Sequence, residues 1–198
     1  MLLSRNEQIR AARFQFARDR NRYIAGRGLL RALLGNYVDA APSAIEFASN
    51  PHGKPSLADA TLGVHFNLAH SGDVAIFAFA RDHILGVDIE SLDRAVDHDA
   101  LALRFFSARE NAELQTFPRA VRNRAFLTSW TCKEAVAKAI GLGLSLPLDQ
   151  IEVTVGGDSP RVLHIAHRDA REWTLHPVDA GSAYVTMLSV HAAGHSSR

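Results

Sequence analysis

Three strand-like runs in succession, between Val64 and Glu90, constrain the fold of this chain more than any other feature. Val64, Phe66 and Leu68 alternate with His65, Asn67 and Ala69, which predicts a half-buried strand ending at His70-Ser71-Gly72. Val74 to Ala80 is an uninterrupted apolar run, the pattern of a strand covered on both faces. A turn at Arg81-Asp82 leads into His83 to Glu90, so the last two strands are expected to form an antiparallel hairpin. Upstream, residues 5–34 read as one helix, with Ile9, Ala12, Phe16, Tyr23, Leu30 and Leu34 at near-helical spacing and Gly35-Asn36 as its stop. Residues 39–63 read as irregular connection with one short strand near Ile45-Glu46-Phe47.

The second half repeats this plan. Residues 99–141 are largely helical, first around Leu101 to Phe117, then, after Pro118, from Arg119 to Ile140. Four strand-like runs follow, Ile151 to Val155, Arg161 to Ala166, Glu172 to Val178 and Ala183 to Val190. Helices first and antiparallel strands after, twice, predict an α+β architecture of two similar lobes, residues 1–95 and 96–198. The polar tail from Ala192 to Arg198 is expected to fray.

Composition narrows the function classes. A formal charge of +1 excludes a general polyanion binder, but residues 1–35 hold Arg5, Arg10, Arg13, Arg18, Arg20, Arg22, Arg27 and Arg31 against only Glu7 and Asp19. That local face suits phosphates or an acidic partner, or is a solvated basic helix. Cys132 is the single cysteine, so an intrachain disulfide is impossible. The longest apolar run is too short to span a bilayer, and the first residues lack a signal-like apolar stretch. A cytoplasmic monomer that binds neither nucleic acid nor membrane is the expectation.

Two segments carry chemistry. In Gly86-Val87-Asp88-Ile89-Glu90, strand alternation puts Asp88 and Glu90 on one face and Leu85, Val87 and Ile89 on the other. Two carboxylates about 7 Å apart on one face repel unless a cation sits between them, and hard oxygen ligands suit Mg²⁺. Taken alone, the pair also fits an exposed strand edge. On the helix through Trp130-Thr131-Cys132-Lys133-Glu134-Ala135, the residues Cys132, Val136, Ala139 and Ile140 form an apolar stripe. Trp130, Glu134 and Lys138 form a ridge on the opposite side, flanked by small or apolar residues. An i,i+4 surface pair accounts for Glu134 and Lys138 but not for those neighbours, whereas a third metal ligand and a phosphate-binding amine account for both. Gly53-Lys54-Pro55 and His70-Ser71 are candidate anion contacts. There is no Walker loop and no G-x-G-x-x-G, and the histidines lack the companions of a zinc site.

In this order the motifs resemble those of the Sfp-type 4′-phosphopantetheinyl transferases. Gly53-Lys54-Pro55, Phe66-Asn67-Leu68-Ala69-His70-Ser71, Gly86-Val87-Asp88-Ile89-Glu90, Phe106-Ser107 with Glu110 and Leu114, and Trp130-Thr131-Cys132-Lys133-Glu134 with Lys138 match the family's blocks over residues 18–145. Ala69 departs from the usual Ser. The resemblance implies a pseudo-dimer of two α+β lobes with coenzyme A in the cleft. It also implies transfer of the phosphopantetheine arm to a serine of an apo acyl or peptidyl carrier protein, with release of adenosine 3′,5′-bisphosphate. It implies Mg²⁺ on Asp88, Glu90 and Glu134, and Lys138 on the diphosphate. Arg27, Arg31, Gly53, Lys54, Pro55, His70 and Ser71 would hold coenzyme A. Glu134, Glu110 or a metal-bound water would be the base. A Mg²⁺-dependent phosphohydrolase and a non-catalytic coenzyme A or carrier-binding module are the competing readings.

Overall fold

The computed structural model describes residues 2–94 and 96–192, so the expected frayed tail beyond Ala192 lies outside the described residues. The chain is α+β and divides into two compact units. One comprises residues 1–48 and 56–64, the other residues 49–55 and 65–198.

In the first unit, α1 (Arg5–Ala12) begins in a capping box, with Ser4 Oγ accepting from the Glu7 amide and the Glu7 carboxylate accepting from the Ser4 amide. α2 spans Ala17–Val38. The single helix expected over residues 5–34 is therefore two. The backbone turns extended at Phe16 and α1 packs back against α2, which carries Glu7 to Arg31 and Arg27. No Gly or Pro marks this break, and Ile9 and Phe16, expected on an apolar face, are exposed. α2 also outruns its expected stop. Gly35 lies inside the last turn, where a Cβ would sit 2.6 Å from the Ala40 carbonyl oxygen. The short strands β1 (Phe47–Ser49) and β2 (Pro55–Leu57) pair as a ribbon along which the chain passes from one unit to the other.

In the second unit, β3 (Val64–Ser71) pairs with β4 (Val74–Arg81) across the Gly72-Asp73 turn. β5 (Ile84–Ser91) does not extend that pair, contrary to the expected hairpin. α3 (His98–Phe105), α4 (Ala108–Thr116) and α5 (Arg119–Ile140) follow. Ser107 ends α3 early because it opens α4 with a second capping box, accepting from the Glu110 amide while Glu110 accepts from the Ser107 amide. β6 (Ile151–Val153) and β7 (Val162–Ile165) form a bulged antiparallel pair. β8 (Trp173–Pro177) and β9 (Tyr184–His191) complete a sheet of order β5-β9-β8, in which Asp88 stands opposite Met187 and Glu90 opposite Val185. Asn67 Oδ1 accepts from the Val87 amide and Ser71 Oγ from the Ser91 amide.

α5 lies across β5 and β9. Its apolar stripe, Cys132, Val136 and Ala139, packs with Ile151, Ile165, Trp173 and Met187, while Phe126 and Leu127 join Phe106, Leu114 and Val185. Each large side chain fully buried here stabilises the fold by about 1.5–3 kcal/mol. Among the described residues no helix is long and apolar enough to cross a membrane.

Candidate active site

The site begins with a glycine. A Cβ at Gly86 would lie 2.2 Å from the Ala135 carbonyl oxygen and 2.4 Å from the Ala139 amide nitrogen, so only Gly lets α5 rest directly on β5. Alternation then sends Asp88 and Glu90 to the same side as Gly86, while Leu85, Val87 and Ile89 are buried. Val87 and Ile89 pack with Ala69 of β3 and with Val74, Ile76 and Ala78 of β4. β5 is thus covered on both faces, and its two acids are held against the helix that carries Glu134 and Lys138.

Lys138 Nζ donates to Asp88 Oδ1 at 2.5 Å, and Arg94 pairs with Glu90. Trp130 stands beside Glu90 and favours its ionised form. Burial raises Asp88, opposed by the Lys138 ammonium. Burial also raises Glu90, against Arg94, with the Asp88 charge adding to the rise. Glu134 is raised by burial and then by Asp88. Each acid therefore feels its neighbours, as expected of carboxylates crowded into one place.

The donor set fits a hard divalent cation. Asp88 Oδ2 is buried with no hydrogen-bond partner, a lone-pair site that a cation would satisfy. Among the described residues no group of three His, Cys, Asp or Glu side chains stands close enough together to hold a metal ion as it is. Carboxylate oxygens are the donor type of Mg²⁺, which keeps water and phosphate oxygens in its shell, rather than of structural zinc. Cys132 is no nucleophile, since burial pushes its thiol up to about 12.

The other expected site residues are placed differently. Glu110 is fully buried. Its Oε2 pairs with Lys133 Nζ at 2.5 Å and accepts from the Ser107 amide, while Oε1 accepts from the Val153 amide. Both oxygens thus accept hydrogen bonds from the surrounding α4, α5 and β6 frame. Arg31 is 2% exposed, with Nε on Glu7 and Nη1 on the carbonyls of Pro42 and Ile45, all within the first unit. Arg27 pairs with Glu7 more loosely, at 3.2 Å, and lies over the Phe47 ring.

Lys54 Nζ donates to the carbonyls of Ala139, at 2.7 Å, and Leu85. Asn50 Nδ2 donates to the Gly141 carbonyl, and Asn50 Oδ1 accepts from the amides of His52 and Lys54. The Asn50–Lys54 loop thus caps the carbonyl end of α5, where a cation complements the helix dipole. Burial pulls the Lys54 amine down to about 8. Gly53 (φ +85°) turns that loop with open space around it, and Pro55 starts β2. His70 is exposed beside Ser71, whose oxygen accepts from β5. Asn67, Asn50 and Arg94 received no role from the sequence. Asn50 followed two residues on by His52, the spacing at which an Asx turn closes, was the only local signal for any of them.

The 4′-phosphopantetheinyl transferase superfamily model matches residues 84–188, and the model of the 4′-phosphopantetheinyl transferase N-terminal region matches residues 1–81. The chain belongs to the 4′-phosphopantetheinyl transferase superfamily. It is 40% identical over 166 residues to the 4′-phosphopantetheinyl transferase HetI of Nostoc sp., a match covering 83% of this chain and 70% of the relative. It is 33% identical over 156 residues to the 4′-phosphopantetheinyl transferase Sfp of Bacillus subtilis, covering 79% and 68%. The holo-[acyl-carrier-protein] synthase of Thermotoga maritima shows a partial likeness, with a TM-score of 0.45 and 20% identity over 55% of this chain and 63% of its own.

Proposed function

We propose that this chain transfers the 4′-phosphopantetheine group of coenzyme A to a serine of an apo acyl or peptidyl carrier protein. The observation that carries the reading is the convergence of Asp88, Glu90, Glu134 and Lys138 on the β5–α5 contact, with Asp88 Oδ2 left unpartnered. In the reaction the serine Oγ forms a bond to the phosphorus that bears the pantetheine arm, and the phosphoanhydride bond breaks. Adenosine 3′,5′-bisphosphate leaves with the electron pair. Asp88, Glu90 and Glu134 would hold Mg²⁺, which when bound supplies charge neutralisation at the diphosphate. Lys138 is close enough to Asp88 to be held in place and is 32% exposed, so its ammonium can meet the leaving phosphate. With Glu110 committed elsewhere, Glu134 is the remaining carboxylate candidate for taking the serine proton.

Gly53, Lys54, Pro55, His70 and Ser71 are proposed to line the coenzyme A site, Lys54 with the part of its capacity that the α5 carbonyls leave. Arg27 is proposed as the N-terminal cation that meets a phosphate of coenzyme A, and Arg31 as its support through the shared Glu7. The two lobes are proposed as residues 1–95 and 96–198, a division by repeated plan that contrasts with the compact units. A cytoplasmic monomer, acting on coenzyme A and carrier protein without nucleic acid or membrane, is the proposed setting. Incubation with Mg²⁺, coenzyme A and an apo carrier, followed by intact-protein mass spectrometry, tests the reaction. A carrier gaining one phosphopantetheine is expected. An unmodified carrier with hydrolysed coenzyme A would favour the hydrolase reading, and coenzyme A bound but unchanged would favour the binding module.

A further inference from the structure

Three carboxylates meet two protein cations at the β5–α5 contact, and the two cations are not equivalent. Lys138 projects from the last turn of a packed helix onto a buried acid. Arg94 stands in the loop after β5, its side chain 40% exposed, and reaches back four residues to Glu90, which is 14% exposed. Its backbone makes turn bonds, from the Arg94 amide to the Ser91 carbonyl and from the Val96 amide to the Arg94 carbonyl. The charge of Arg94 is felt at Asp88 and Glu134 as well as at Glu90. A divalent cation taking Asp88 and Glu90 together must compete for the Glu90 oxygen that Arg94 now occupies. An exposed ion pair on a loop yields more cheaply than a part-buried one on a helix.

We propose that Arg94 is a built-in competitor of the divalent cation, a counter-ion that holds Glu90 while the cation is absent and releases it when the cation binds. This rests on the metal reading above and adds to it a residue that sets metal affinity. Releasing Glu90 also frees a planar, fork-shaped donor beside the site, of the kind that pairs with phosphate oxygens.

The test is Mn²⁺ binding to the full chain without substrate, read by loss of the free-ion electron paramagnetic resonance signal. Arg94→Met is expected to bind Mn²⁺ about three- to fivefold more tightly than wild type, the factor that an exposed ion pair commands. In a Glu90→Gln background the same substitution is expected to change the affinity little, because the pair no longer exists. Circular dichroism of each variant confirms the fold. Unchanged or weaker Mn²⁺ binding by Arg94→Met overturns the proposal, and so does an equal gain in the Glu90→Gln background, which would mean a general field effect. Wild-type protein that takes up no Mn²⁺ in an Asp88-dependent way overturns the metal reading itself, and this proposal with it.

Discussion

α5 carries two lysines five residues apart, each paired with a carboxylate at 2.5 Å, and the two pairs do opposite things. Lys133–Glu110 is closed, with both partners fully buried and each Glu110 oxygen accepting a hydrogen bond. Lys138–Asp88 is open, since one Asp88 oxygen has no partner, Lys138 reaches solvent, and Glu90 and Glu134 add like charge beside it. A buried pair that is satisfied on every atom fastens elements together, here α4, α5 and β6. A buried pair with a spare lone pair and surplus negative charge is poised to take something else. The saturation of the acceptors, not the depth of burial, separates structure from chemistry on this helix.

The sharpest way to break that contrast is to cut the closed pair. Lys133→Met leaves Glu110 buried without its cation and is expected to cost about 3–5 kcal/mol in urea denaturation. The double variant Glu110→Gln/Lys133→Met should recover most of that loss, and a loss as large as in the single variant would contradict the pairing. Glu134→Gln, on the open side, should instead keep the fold while lowering turnover about 10²–10³-fold, measured as the rate of carrier modification at saturating Mg²⁺. Normal turnover with a normal metal requirement would remove Glu134 from the site. Gly86→Ala strikes the contact on which the open pair depends. Its Cβ would collide with the α5 backbone at Ala135 and Ala139, so a loss of about 1–3 kcal/mol is expected together with reduced activity.

The smallest effect lies in the first unit, at a third ion network. Burial pushes Glu7 up, but Arg31 and the Ser4 hydrogen bonds outweigh it and hold the carboxyl below its ordinary range. The unfolded state therefore binds the proton first as pH falls. The stabilisation from Glu7 is complete above the ordinary carboxylate range and is lost as pH drops through the depressed folded value. Urea melts of Glu7→Gln should show a shallower acid dependence than wild type, and an identical profile would exclude Glu7 as a source of it.

The sequence made the strands and α5 legible because period-two and helical patterns survive where burial is one-sided, as in Val64–Ser71 or the Cys132, Val136, Ala139 stripe. It also placed Asp88 and Glu90 on one face and Glu134 with Lys138 on one ridge. The pairing of β5 was illegible, because the choice between β4 and β9 as its partner is a long-range event without periodic signature. The break between α1 and α2 was hidden for a similar reason, since it serves the contact of Glu7 with Arg31 and carries no Gly or Pro. The α3–α4 break was there to read in Ser107-x-x-Glu110, a capping box that also occurs as part of a family motif. Motif membership drew Glu110, Arg31 and Lys54 toward ligand roles. Their hydrogen bonds show how a motif can preserve the frame around a site as well as the site itself.

The central claim is that the open pair and its neighbouring acids form a divalent-cation site for phosphopantetheine transfer. Asp88→Asn keeps the shape of the side chain and removes its charge. Carrier modification should rise saturably with Mg²⁺ for wild-type protein and stay near background for Asp88→Asn at every Mg²⁺ concentration, both proteins being folded. An Asp88→Asn enzyme with the wild-type rate and the wild-type Mg²⁺ dependence would contradict the account.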